Sequence, residues 1–221
     1  MTWRSHLWRI VSRLSQTSPS RRARLTLPGW SEGAPAKGLR LWRDSDGDVL
    51  SLAIPAEGLG LPHGSEAEVK RWCRELAQER GGGLIEAHGI GSSARLIYKR
   101  LQIPAYVYTG MFITAVQGFS LVWTVVAGEH GTTGAREAVV TANLMKAGKL
   151  TLDGYRRSWA QDPYDPAYQG VDRSVLRFMS DDESYDEQFP HHPLSKVRHV
   201  LRALPTAMQF DPPKSPEAQY R

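Results

Sequence analysis

Cysteine is almost absent from this chain of 221 residues, and the single one, Cys73, excludes an internal disulfide. Cys73 falls at an apolar position of a predicted helix, which favours a small buried side chain over a nucleophile. The sequence also lacks a long uninterrupted apolar run near its start, because Arg9 and Arg13 break up the candidate region. We therefore expect no secretion signal and no membrane span, and a cytoplasmic location with peripheral membrane attachment as the alternative.

Motifs of known catalytic chemistry are missing as well. No H-E-x-x-H or paired-cysteine pattern occurs, and the G-x-S-x-G match at residues 29–33 lies in the linker and not between a strand and a helix. The most metal-like cluster is His191-His192 beside Asp186 and Glu187, but adjacent histidines on an extended chain point apart. We predict no metal site, no cofactor and no catalytic residues. A metal-dependent hydrolase that uses His191, His192 and Asp186 together with His88 is the enzyme alternative.

An excess of positive charge is confined to the beginning of the chain. Residues 1–40 hold eight Lys or Arg side chains and one acid, whereas the rest holds 20 basic and 22 acidic side chains. Proteins that bind nucleic acid carry a basic stripe on a folded face. Nucleic acid is therefore an unexpected partner for the body of this protein.

The N-terminal residues 1–37 are predicted to form a basic arm. Residues 3–14 space their apolar side chains as one face of a helix, and a linker rich in Pro, Gly and Ser follows. Such a helix docks on its own domain, binds a partner or lies on an anionic membrane surface, and the sequence leaves all three open. The predicted contact residues of the arm are Trp3, Arg4, Leu7, Trp8, Arg9 and Arg13.

The most apolar stretch of the chain runs from Ala105 to Ala127 and is rich in residues that favour strands. Gln117-Gly118 interrupts it, which indicates a tight hairpin turn between strands over about 104–115 and 118–127. Both faces of these strands are largely apolar, so we expect both to be covered by helices.

The remaining patterns complete a domain over residues 38–210. Three aspartates in 44–48 indicate a hairpin turn, because the further ligands of a calcium loop do not follow. Ser65 and Glu68 indicate a capping box, Thr133 an N-cap, and Pro193 and Pro205 the ends of a last helix. We predict an α+β fold with an about six-stranded, mainly antiparallel sheet flanked by helices on both faces. Further strands are predicted over 39–43, 49–54, 84–90 and 94–101, and helices after residue 65, after residue 133, near 152–160 and after residue 193.

Residues 150–192 combine many aromatic side chains with nine acids and four Arg residues. Proline density excludes one long helix here, and aromatic density argues against disorder, so we predict an ordered irregular wrap. These aromatic side chains either bind a partner or hold the wrap on the sheet. Residues 211–221 are predicted to be a disordered tail. The predicted protein-binding residues of the wrap are Trp159, Tyr164, Asp165, Tyr168, Asp181, Asp182, Tyr185 and Asp186.

The element order over about residues 38–150 resembles the Mog/PsbP-like fold, an antiparallel sheet flanked by helices. The segment YDEQFPHHPLSKVRHVL is also similar to a stretch that recurs in bacterial proteins without assigned chemistry. The resemblance implies an accessory, binding or assembly role and transfers no functional residue. Together with the charge split and the aromatic surplus, it favours a non-catalytic protein-binding module, of the immunity or assembly-accessory type, whose partner is another protein.

Overall fold

The computed structural model describes residues 23–36, 39–55, 59–62, 64–116 and 119–210. The predicted helix over residues 3–14, the turn at 117–118 and the tail over 211–221 lie outside the described residues.

The described residues form eleven strands and four α-helices, joined in the wrap by three short 3₁₀ helices. The helices are α1 (Glu66–Glu79), α2 (Ala135–Lys146), α3 (Leu152–Ser158) and α4 (Pro193–Ala207). The 3₁₀ helices span Arg173–Val175, Met179–Asp181 and Glu183–Tyr185. The strands are β1 (Ala23–Leu25), β2 (Ser31–Glu32), β3 (Arg40–Arg43), β4 (Val49–Ala53), β5 (Gly83–Ile90), β6 (Ser93–Gln102), β7 (Ala105–Val116), β8 (Phe119–Gly128), β9 (Ala160–Gln161), β10 (Arg177–Phe178) and β11 (Met208–Phe210).

The main sheet is antiparallel and has seven strands in the order β2-β3-β4-β8-β7-β6-β5. The α+β class is therefore confirmed, but the predicted strand count of about six is one too low. The additional strand, β2, has two residues and lies in the segment predicted as a linker, where no alternating pattern marks it. Two small ribbons, β1 with β11 and β9 with β10, complete the strand pairing.

The central hairpin is confirmed close to its predicted bounds, as β7 and β8. Its register runs from Val107 opposite Gly128 to Val116 opposite Phe119. Successive residues of a strand point to opposite faces, and the buried residues of the hairpin divide accordingly between two hydrophobic clusters.

The first cluster packs helix α4 on the hairpin, with the tilted pair Trp42 and Trp123 at 5.3 Å between ring centroids. Gly110 allows the close approach, because a Cβ at this position would lie 2.6 Å from Val197 Cγ1 and 2.7 Å from Leu201 Cδ1. Helix α4 is thus seated directly on the backbone of β7.

The second cluster packs helix α1 on β5, β6 and the other side of β7, and it includes the buried Cys73. The predicted capping box is confirmed: the Ser65 hydroxyl accepts from the Glu68 N–H, and the Glu68 carboxylate accepts from the Ser65 N–H. Burial raises the pKa of the Cys73 thiol to about 12, in agreement with its interpretation as a small core residue.

Two details of the later helices differ from the predictions. The N-cap of α2 is Gly134, with a φ of 72°, and not Thr133. The buried residues of α2 are Arg136, Val140 and Leu144. An arginine can occupy a buried position when it finds hydrogen-bond partners inside the protein, as Arg136 does. In α4, Pro205 does not close the helix, which continues to Ala207. None of the helices in the described residues is both long and apolar enough to cross a membrane.

Candidate functional site

The wrap is held on the domain by polar side chains that cover the edge strand β5. The Tyr164 hydroxyl accepts from the Ala87 N–H at 2.7 Å and donates to the Ala87 carbonyl at 2.9 Å. Asp162, which is 4% exposed, forms a bidentate ion pair with Arg74 of α1, with N···O distances of 2.9 and 2.7 Å. Edge strands present unpaired backbone groups that can recruit other chains, so these contacts satisfy part of the open edge.

A fully buried ion pair lies beneath the wrap. Lys99 Nζ of β6 donates to Asp181 Oδ2 at 2.6 Å, and both side chains have no exposed surface. Tyr108 and the Phe178 N–H donate to the same carboxylate. Burial alone would raise the pKa of Asp181, but Lys99, the Phe178 N–H and Arg136 hold this pKa below its ordinary value of 3.8.

Two buried arginines extend this network to the last helix. Arg136 donates to the carbonyls of Ser180 and Asp182, to Asp186 Oδ1 and to the Ser195 hydroxyl. Arg198 of α4 donates to Asp186 Oδ1 at 2.9 Å, to the Asp181 carbonyl and to Glu86. The wrap is thereby tied to α2, α4 and the sheet at once.

The predicted protein-binding residues of the wrap divide between the interior and the surface. Trp159 and Asp181 lie in the interior, and Asp182 and Asp186 pair with Arg177 and with the two buried arginines. Partly exposed are Tyr164, Asp165, Tyr168 and Tyr185. Binding through this surface stays a prediction.

An open cleft of about 690 Å³ lies between the β3–β4 turn, the start of α2 and the start of α4. Lys196 reaches across it to the aspartates of the turn: Nζ lies 3.0 Å from Asp48 Oδ2 and 3.7 Å from Asp44 Oδ2, and it also contacts Asp46. The ammonium group of Lys196 therefore pairs with the three acids of this turn. The polar residues that line the cleft are Asp46, Glu129, His130, Thr132, Arg136, Gln188, His191, His192 and Lys196.

Three side chains meet at one side of this cleft: Glu129, Glu137 and His192. His192 Nε2 lies 3.8 Å from Glu129 Oε1 and 4.0 Å from Glu137 Oε1. Each residue offers one ligand atom to a group whose atoms all lie within 4.8 Å of one another. Two carboxylates and an imidazole are a donor set that divalent transition metals accept.

The protonation of the group follows from its burial. The side chain of His192 is 8% exposed, and burial lowers its pKa to about 3, with Arg136 acting in the same direction. The neutral ring accepts the Leu194 N–H at Nδ1, so His192 caps α4 as the sequence suggested. Burial raises the pKa of Glu137.

The structure does not bring together the residues of the metal-like cluster that the sequence suggested. Asp186 is taken up by the two buried arginines, His191 is exposed, and His88 lies exposed on β5 opposite Arg95. His192 instead meets Glu129 and Glu137, which lie more than fifty positions earlier in the chain. No local pattern pairs these residues, because the loop after β8 and the start of α4 bring them together.

A second candidate site is an apolar patch at the end of the hairpin formed by β6 and β7. Among the described residues, Ile103 and Leu152 expose 84% and 79% of their surface, and Leu101 and Tyr155 expose 42% and 40%. We define Leu101, Ile103, Leu152 and Tyr155 as the terminal apolar patch.

A row of aromatic rings connects the members of this patch. Tyr155 is stacked on Trp159 at 5.1 Å between centroids, and Trp159 on Phe178 at 5.8 Å. Phe178 meets the edge of Tyr106 at 5.5 Å, and Tyr106 lies opposite Leu101 in the strand ladder. Leu152 precedes Tyr155 by three positions on α3 and shares its helix face. Packed rings therefore form an ordered base between Tyr155 of α3 and the strand pair of Leu101 and Tyr106.

No protein-family model and no curated protein matches this chain. In solved structures, its fold is similar to that of a point mutant of the protein Mog1, with a TM-score of 0.39 and 10% identity over 55% of this chain and 78% of that one. It is also similar to the Saccharomyces cerevisiae Ran-binding protein Mog1p, with a TM-score of 0.43 and 7% identity over 86% and 90% of the two chains. Both TM-scores lie below 0.5, and these similarities say nothing of what this chain binds.

Proposed function

We propose that this protein is a protein-binding module that contacts its partner through the terminal apolar patch. The exposure of Ile103 and Leu152, at 84% and 79%, carries the proposal. Scattered exposed apolar side chains are ordinary on soluble proteins, but a contiguous apolar surface on an ordered base is typical of an interaction site.

The patch has the anatomy of a small interface. Its apolar centre is fixed from below by the row of rings from Tyr155 to Tyr106, so little side-chain freedom is lost on binding. Asp153 and Arg157 of the same helix are exposed and supply a polar rim. Burial of Ile103 and Leu152 would each contribute about 1.5–3 kcal/mol of hydrophobic stabilisation.

Two finer forms of the proposal are an immunity-type protein that neutralises a toxin and an accessory factor in the assembly of a complex. In both, the partner presents an apolar pocket to the patch. The identity of the captured protein distinguishes the two forms, because a toxin enzyme supports the first and a subunit of a complex supports the second.

Site-specific photocrosslinking in cells of the native host tests the proposal. A photoreactive residue placed at Ile103 or Leu152 should give one crosslinked species with the same partner. Ile90 is the matched control, since it is 51% exposed but lies at the opposite end of β6, beside the turn after β5. Equal crosslinking from position 90, or crosslinks only between copies of this chain, would contradict the proposal.

A further inference from the structure

The three-residue group formed by Glu129, Glu137 and His192 contains polar atoms that the fold leaves without partners. Among the described residues, both carboxylate oxygens of Glu137 and the Nε2 atom of His192 are buried and have no hydrogen-bond partner. The His192 side chain is more than nine-tenths buried and directs Nε2 toward both carboxylates. Leaving such atoms unsatisfied lowers stability, so a folded protein rarely does so without a reason.

The two glutamates are held differently. Glu129 accepts the Tyr106 N–H at 3.2 Å and the Gly134 N–H at 2.9 Å, which fixes it as an anchored carboxylate between β7 and α2. Among the described residues, no other residue donates to Glu137, and its first-turn position on α2 directs it to the same point. The group thus has one anchored carboxylate, one carboxylate to which no other residue donates and one neutral imidazole.

The acids of the buried network outnumber its cations. Its cations are Lys99, Arg136 and Arg198, and they contact carboxylates of the wrap and the sheet. The five acids exceed these three cations by two negative charges, and buried charges are stable only when they are paired or coordinate a metal. The acids are Glu86, Glu129, Glu137, Asp181 and Asp186.

We propose that Glu129, Glu137 and His192 bind one divalent first-row transition-metal ion of the zinc or cobalt class. Such an ion supplies the two missing positive charges and satisfies the Nε2 atom and the free carboxylate together. The imidazole selects against Mg²⁺ and Ca²⁺, which prefer oxygen ligands. The adjoining cleft leaves room for a further ligand from solvent.

Metal binding at Nε2 requires a change in the His192 ring. A neutral histidine that binds metal through Nε2 carries its proton on Nδ1, whereas here Nδ1 accepts the Leu194 N–H at 3.2 Å. Binding therefore costs this helix cap. That cost is small beside the free energy that zinc binding releases at structural sites.

Titration of the metal-free full chain with Zn²⁺ and Co²⁺ by calorimetry tests the site. We expect one ion per chain and a rise in Tm with Zn²⁺. Bound Co²⁺ should give a visible absorption spectrum, and added Mg²⁺ should not displace the bound Co²⁺. Glu137→Gln keeps the side-chain size, and His192→Asn keeps an acceptor for the helix cap. Each should weaken metal binding by at least about tenfold, because losing even a residue that hydrogen-bonds to a metal ligand has an effect of this size.

His191→Asn is the matched control, because this exposed histidine lines the same cleft and lies next to the proposed ligand. It should bind Zn²⁺ like the wild type. Absence of a stoichiometric ion in the wild type, unchanged binding in Glu137→Gln, or equal loss in His191→Asn would overturn the proposal.

Discussion

At the scale of single residues, Gly110 decides how closely helix α4 approaches the sheet. A methyl group at this position would meet Val197 and Leu201 at distances well inside van der Waals contact. Overpacking of this kind in a tight core typically costs about 1–3 kcal/mol. The glycine is therefore required for packing and not for a turn.

We predict that Gly110→Ala lowers the free energy of unfolding by about 1–3 kcal/mol in urea denaturation. Gly128→Ala is the control, since a Cβ there meets only Val107 Cγ2 at 3.9 Å. Its effect should stay within about 0.5 kcal/mol. Equal effects of the two substitutions would show that α4 does not sit on β7 as described.

The buried pair of Lys99 and Asp181 gives a second prediction. Asp181→Asn alone should cost about 3–5 kcal/mol, because it leaves a buried ammonium group unpaired. The double variant Lys99→Met with Asp181→Asn should be more stable than Asp181→Asn. Because the folded pKa of Asp181 lies below 3.8, the stabilisation by this carboxylate is present above about pH 4 and is lost as the pH falls through that lower value. Urea denaturation between about pH 5 and pH 3 should show a steeper loss for the wild type than for the double variant.

Residue identities explain why the sequence showed part of the polar network and not the rest. The capping role of His192 could be predicted, because it precedes Pro193 at the start of an apolar helical stripe. Glu129 and Glu137 could not be paired with His192, since only the tertiary fold brings these distant positions together. Arg136 was missed because hydrophobic periodicity assigns buried positions to apolar residues, and a buried arginine depends on partners elsewhere in the chain.

At the scale of elements, the wrap acts as a cover for the edge strand β5. Tyr164 bonds to both backbone groups of Ala87, and a Cβ on Gly83 would lie 2.1 Å from the Val175 carbonyl oxygen. The wrap therefore touches the first half of the edge strand, at Gly83 and at Ala87. Covering an edge in this way limits pairing with strands of other molecules.

Removal of one hydroxyl tests this role. Tyr164→Phe should cost about 1–2 kcal/mol and speed amide hydrogen exchange at Ala87, because two hydrogen bonds to the edge strand are lost. Tyr168→Phe is the control, since the Tyr168 hydroxyl donates only to the exposed side chain of Gln78. Unchanged exchange at Ala87 in Tyr164→Phe would contradict the role of the wrap.

The elements differ in how well the sequence predicts them. Strands β7 and β8 could be placed within about two residues, because they are long, apolar and divided by a turn signal. Helix α1 could be placed from its capping box. The N-cap of α2 was predicted at Thr133, but Gly134 occupies that position. Strand β2 was missed, because a two-residue strand is defined only by its pairing with β3.

At the scale of the whole molecule, Tyr106 joins the terminal apolar patch to the three-residue group. Its ring packs against Phe178 under the patch, and its N–H donates to Glu129 of the group. The patch is formed by α3 and the turn after β6, whereas the group lies beside the cleft at the start of α4. Sequence patterns led to the hypothesis of a binding module and to aromatic residues of the wrap as its contacts, but several of these residues hold the fold together.

The dissociation constant of the crosslinked partner, measured by calorimetry with purified proteins, tests the central claim most directly. Ile103→Ser with Leu152→Ser removes the two most exposed side chains of the patch and should weaken binding by at least about a hundredfold, the equivalent of roughly 3 kcal/mol. Ile90→Ser should bind like the wild type, and both variants should keep the Tm of the wild type within a few degrees. Unchanged affinity of the double variant, or equal loss in Ile90→Ser, would contradict the account.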